Sequence, residues 1–166
     1  MEIGTVNISG DFQSEPDPRD VEDKGHRVTV HAVTLHWAWR EDGDDPWRPE
    51  LLFIPNRTRW DGASRPDFVG WVVPRFGVFS LASLVHDVCF ETRPFLSNGL
   101  RISRKHTDAL FFAIMEKLAL ERVGGWKYRP QLRLAKVMHK AVRLFGETTW
   151  DRHDEEFPTR PPVAGA

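Results

Sequence analysis

From Val28 to Trp39 apolar and polar positions alternate, placing Val33, Leu35, Trp37 and Trp39 on one face. Period-two patterning in β-branched and aromatic residues predicts a strand half-buried against a core. Glu41-Asp42-Gly43-Asp44-Asp45-Pro46 reads as a strong turn. After it, Leu51-Leu52-Phe53-Ile54 forms a short apolar strand closed by Pro55, and Arg57 to Trp60 gives another. Upstream, Glu15 to Lys24 is charged, holds Pro16 and Pro18, and has little to bury, so it reads as a mobile loop.

The period then changes. From about Ser80 to Thr92, Leu81, Leu84, Val85, Val88 and Cys89 fall on one stripe with the spacing of a buried helix face. Pro94 and Asn98-Gly99 break it, and Ser103 is suited to cap a second helix running to about Arg122. Its core stripe is Leu110 or Phe111, Ile114, Met115 and Leu118. Pro130 marks the start of a third helix, carried by Leu134, Val137, Met138, Ala141, Val142 and Phe145 to Gly146. The fold class is therefore α+β, a small N-terminal antiparallel sheet packed on a three-helix C-terminal part. Residues 1–150 read as a single domain and 151–166 as an extended tail.

Length and composition agree with this. At 166 residues, with 40% hydrophobic and 28% charged positions, one hydrophobic core is the expectation. No run approaches the roughly 20 apolar residues of a membrane helix. The N-terminus lacks the basic and apolar regions of a signal peptide. A single cysteine, Cys89, rules out an internal disulfide and points to a reducing site of synthesis. The net charge of −1 argues against a dedicated nucleic-acid binder, but it conceals an asymmetry. Residues 66–146 hold 13 basic and 6 acidic side chains, between ends that are both acidic on balance. Such a body could be steered towards phosphates or an acidic partner, although Lys and Arg solvating exposed helix faces is the preferred explanation.

Candidate chemistry sits in four places: Asp61-Gly62-Ala63-Ser64 in a loop, His86-Asp87 on the first helix, Asp108 on the second and His139 on the third. An imidazole and a carboxylate among apolar residues need partners. His86 lies about two turns before the end of its helix and Asp108 one to two turns into the next, which levels them across an antiparallel pair. Their contact would fix one tautomer and raise the basicity of the other nitrogen, as a general base requires. Asp87, about 100° further round, is free to face the Asp61 loop, and the two together suit a hard cation such as calcium. The competing reading is structural: a buried His–Asp pair fastens two helices, and Asp61-Gly62 is simply a turn. His139, among Lys136, Lys140 and Arg143, reads as a surface residue, and Cys89 as apolar filler. Ser64 lacks the frame of a serine hydrolase.

The order Asp61-Gly62-Ala63-Ser64, His86-Asp87, Asp108 with Phe111 or Phe112, then Val142-Arg143-Leu144-Phe145-Gly146 resembles domain-of-unknown-function family 1353. That family occurs in tailed phages, prophages and bacteria, and the likeness covers roughly residues 50–146. It implies a phage-type protein made in the bacterial host cytoplasm, with virion association a further expectation, and it carries no settled activity. A looser similarity links His86-Asp87-Val88-Cys89-Phe90 and Asp108-Ala109-Leu110-Phe111-Phe112 to the active-site helices of secretory phospholipases A2. It implies His86 as base, Asp108 as orienting carboxylate and Asp87 as calcium ligand. The chain departs from those enzymes in lacking disulfides, their calcium loop and the tyrosine that Phe90 replaces.

Three readings follow. The preferred one is a hydrolase of ester or phosphoester bonds in lipid or cell-envelope material, with His86 and Asp108 catalytic and a divalent cation, calcium before zinc, at Asp87 and Asp61. The alternative is a non-catalytic phage virion, tail-assembly or host-interaction protein, in which the same cluster is structural and the partner is a phage or host protein. A transition-metal hydrolase using His86, Asp87 or Asp61, Asp108 and His139 ranks third, because no H-E-x-x-H pair is present.

Overall fold

A computed structural model describes residues 1–9, 14–16, 28–30, 32–56, 58–60, 79–123, 128–146 and 150–151. In chain order these form β1 (Glu2–Ser9), β2 (Ser14–Pro16), β3 (Val28–Val30), β4 (Val33–Arg40), β5 (Arg48–Ile54), β6 (Thr58–Trp60), α1 (Ser80–Thr92), α2 (Arg104–Leu118) and α3 (Tyr128–Phe145). The architecture is α+β, as the patterning predicts. The tail beyond Asp151 and the Asp61–Ser64 loop lie outside the described residues.

Among the described residues two antiparallel three-stranded sheets are present, ordered β1-β4-β5 and β2-β3-β6. The expected single strand from Val28 to Trp39 is thus two strands, β3 and β4, which belong to different sheets. Alternation cannot reveal such a switch, because both halves keep a strand's period. Glu15 and Pro16, the first residues of the expected Glu15–Lys24 loop, belong to strand β2, and the rest of that loop lies outside the described residues; Pro16 ends β2, on the edge of its sheet, where a missing N–H costs little. β1 was not expected at all. Only Val6 of its residues is fully buried, so it carries almost no hydrophobic signature.

In β4 the predicted face is the buried one, with Val33, Leu35, Trp37 and Trp39 at 1%, 0%, 4% and 3% exposure. β5 contributes Leu52 and Ile54 inward and leaves Leu51 and Phe53 outside. Across the core, α1 presents Leu81, Leu84, Val85 and Cys89, and α2 presents Leu110, Phe111, Ile114, Met115 and Leu118. Ser103 caps α2 as expected, its hydroxyl accepting from the His106 backbone N–H at 3.2 Å. α2 stops at Leu118 and continues as a π-helical turn, Ala119–Val123, so the expected end at Arg122 falls within that turn. α3 buries less than expected: Ala135 and Met138 are fully covered, while Val137 and Phe145 are about half exposed.

Polar atoms tie sheet to helices. The Trp37 indole N–H donates to His106 Nε2 on α2 at 3.1 Å. The Trp39 indole N–H donates to Glu50 Oε1 at 2.8 Å, and Glu50 also accepts from the Ser97 backbone N–H and hydroxyl in the α1–α2 connection. That connection begins at Arg93, in left-handed conformation with φ 42°, and turns at Gly99, φ 76°, where glycine fits without strain. It folds α2 back onto α1.

His106 must be neutral to accept from Trp37. Burial lowers its pKa to about 4, with the Glu50 charge opposing weakly. A depressed folded-state value means that the stability it contributes is complete above the ordinary 6.5 and disappears as pH falls towards 4. Urea unfolding followed between those limits should show a loss of about 3 kcal/mol that His106→Gln removes. Independently, Glu50→Ala orphans the Trp39 indole and the Ser97 amide, and should cost about 3 kcal/mol at neutral pH by the same measurement.

Candidate functional site

His86 projects from α1 between two aromatic rings, Phe90 at 4.5 Å and Phe111 at 4.8 Å between centroids, and is 8% exposed. Its Nε2 lies 3.1 Å from Asp108 Oδ1 on α2. The level placement inferred from the chain spacing brings these two residues together. Nδ1 faces Asp87 Oδ1 at 3.7 Å, within ion-pair range, so each ring nitrogen has a carboxylate beside it. Burial pushes the imidazole's pKa down, but the carboxylates of Asp108 and Asp87 more than reverse this, and the net direction is upward.

Asp108 has no exposed surface. Its second oxygen accepts from Arg143 Nη1 of α3 at 3.2 Å and lies 3.8 Å from Arg104 Nε, one turn back on α2. Arg104 reaches on to the Val142 carbonyl oxygen at 3.3 Å. One carboxylate thus joins all three helices. Gly146 ends α3 close by, and a Cβ there would stand 2.6 Å from the Val142 carbonyl oxygen. Below the imidazole, Phe90 meets Trp150 edge-on at 4.7 Å, and the Arg93 guanidinium lies 4.0 Å over the Trp150 ring.

The arginines of this cluster were not expected as site residues. Arg104 was within reach of sequence reasoning, since it precedes Asp108 by four residues on one helix. Arg143 carries no such local signal; only the resemblance run Val142–Gly146 contains it. Glu50 and His106 likewise depend on contacts between distant segments.

His139 is not the surface residue that its basic neighbours suggest. Its ring stacks on Phe112 at 5.0 Å and is half-buried. Burial lowers its pKa, the charges of Arg143 and His86 add to that, and Asp108 opposes. Among the described residues no group of three or more His, Cys, Asp or Glu could hold a metal ion. Asp61, the proposed second ligand beside Asp87, and Ser64 both fall outside the described residues. Cys89 is fully buried with its thiol pushed up to about 12, which leaves it inert.

Removing the charge at Asp108 tests the cluster. In Asp108→Asn the positive groups around it lose their counter-charge, and stability should fall by about 3 kcal/mol in urea unfolding. The His86 pKa, followed by NMR titration, should move downward. The native value is raised, so the stability from His86 is complete below the ordinary 6.5 and is lost as pH rises through the folded value. The variant should lose that dependence.

The model of the family described as "Protein of unknown function (DUF1353)" matches residues 44–142. The matched span includes Glu50, His86, Asp87, His106 and Asp108, and ends one residue before Arg143. No curated protein and no solved structure matches the chain. The likeness to secretory phospholipases A2 therefore rests on two short strings of residues alone. A family match over more than half of the chain is decisive, and the protein belongs to the DUF1353 family.

Proposed function

We propose that this protein is a hydrolase of ester or phosphoester bonds in lipid or cell-envelope material, with His86 as general base and Asp108 as its orienting carboxylate. The observation that carries the reading is the division of labour on the imidazole ring. Nε2 is committed to Asp108 at 3.1 Å, which assigns the ring proton to Nε2 in the neutral form and leaves the lone pair on Nδ1. In the proposed step Nδ1 takes a proton from water as the oxygen attacks the ester carbon or phosphorus. The same proton then passes to the departing alkoxide as the ester bond breaks. Arg143 and Arg104 hold the Asp108 carboxylate in place from its other oxygen. A divalent cation, calcium before zinc, enters this reading only through Asp87, with Asp61 as its proposed companion, where it would stabilise the developing oxyanion.

A second reading is favoured by one particular contact. Arg143 draws α3 onto the carboxylate that α1 already uses, which is what a structural fastening of three helices needs. A virion, tail-assembly or host-binding protein of phage type would use the cluster in that way, without turnover.

The assay that separates them uses phosphatidylglycerol vesicles, a nitrophenyl ester and a bis-nitrophenyl phosphate, each with calcium or with chelator. Turnover by the wild type should fall at least about 100-fold in His86→Gln, while circular dichroism shows the variant folded. Absence of turnover on all three substrates, or turnover unchanged in His86→Gln, removes the hydrolase reading and leaves the structural one.

A further inference from the structure

α3 is unlike the other helices in its charge. Over Tyr128–Phe145 it carries Arg129, Arg133, Lys136, Lys140 and Arg143, all exposed, and no acidic residue. Arg133, Lys136, Lys140 and Arg143 recur at spacings of three and four, so they form one stripe along the helix. Among the described residues only Arg143 of the five is paired with a carboxylate, that of Asp108. Beside this stripe lies an apolar one that the core leaves uncovered: Val137 is 49% and Leu144 72% exposed, two turns apart on the same face. The helix buries its opposite side through Ala135 and Met138, so this outward face is built into the fold.

We infer that the outward face of α3 docks on an anionic phospholipid surface. Cations beside exposed aliphatic groups, with no intervening acid, match the headgroup–acyl boundary in both charge and polarity. A nucleic-acid backbone would satisfy the cations but offer nothing to Leu144 and Val137. Docking is peripheral, since among the described residues no helix is long and apolar enough to cross a membrane. Arg143 belongs both to the basic stripe and to the Asp108 cluster, so the docked helix brings the His86 site next to the lipid headgroups. To that extent the inference gives the proposed hydrolysis its substrate class and rests on that reading; the docking itself needs no reaction.

The test is sedimentation of the full chain with vesicles of phosphatidylglycerol or of phosphatidylcholine, at low and at physiological salt. Binding should require phosphatidylglycerol and weaken with salt. Each cation contributes about fivefold near an anionic surface, so Lys136→Gln with Lys140→Gln should weaken binding about thirtyfold. Leu144→Gln, at a site that packs on nothing in the core, should weaken it about tenfold. His86→Gln should bind like the wild type. Failure to bind phosphatidylglycerol, or equal binding to phosphatidylcholine, overturns the inference. So does loss of vesicle binding to competing duplex DNA with Leu144→Gln unaffected, which would make the stripe a nucleic-acid contact. Vesicle binding that fails while His86-dependent ester turnover persists refutes the docking alone. Binding without any turnover refutes the hydrolase alone.

Discussion

A carboxylate with no access to water has to be surrounded by positive charge or donors, and in this protein Asp108 sets that requirement for the whole helical half. Its two oxygens face different helices. One is met by the His86 imidazole of α1, the other by Arg143 of α3 and Arg104 of α2. A buried ion of this kind adds less net stability than its contacts suggest, because desolvation cancels much of the attraction. What it does impose is register. α3 shares few fully buried side chains with the core, and sliding it by one turn would strand the carboxylate.

The seam between sheet and helices obeys a similar logic with neutral groups. Two tryptophans fill the space under the sheet, and each must place an indole N–H. Trp37 finds a histidine on α2, and Trp39 a glutamate on β5 that also grips the turn between α1 and α2. The turn that positions Asp108 opposite His86 is therefore anchored from the sheet side. The candidate site and the hydrophobic core are two ends of one chain of contacts.

The helical part was largely legible in the sequence. The stripe Leu81–Cys89 and the cap at Ser103 located α1 and the start of α2, and the spacing across their connection was enough to pair His86 with Asp108. Local signals of that kind survive because the partners are close in sequence. β1 was illegible because a strand with one fully buried residue looks like any polar segment. The junction between β3 and β4 was illegible because a change of sheet leaves the alternation intact. At the site, Arg143 and Asp108 are 35 residues apart and Glu50 and Ser97 are 47 apart. No periodicity within one helix or strand encodes contacts at that range.

Cys89 stands one turn beyond His86 on the inner side of α1, with no surface exposed. Alkylating reagents can reach its sulfur only when α1 lifts away from its neighbours, and this chain has no other thiol to confuse the signal. The rate at which that one atom becomes modified is a native chronometer for the breathing of the helix that bears the imidazole.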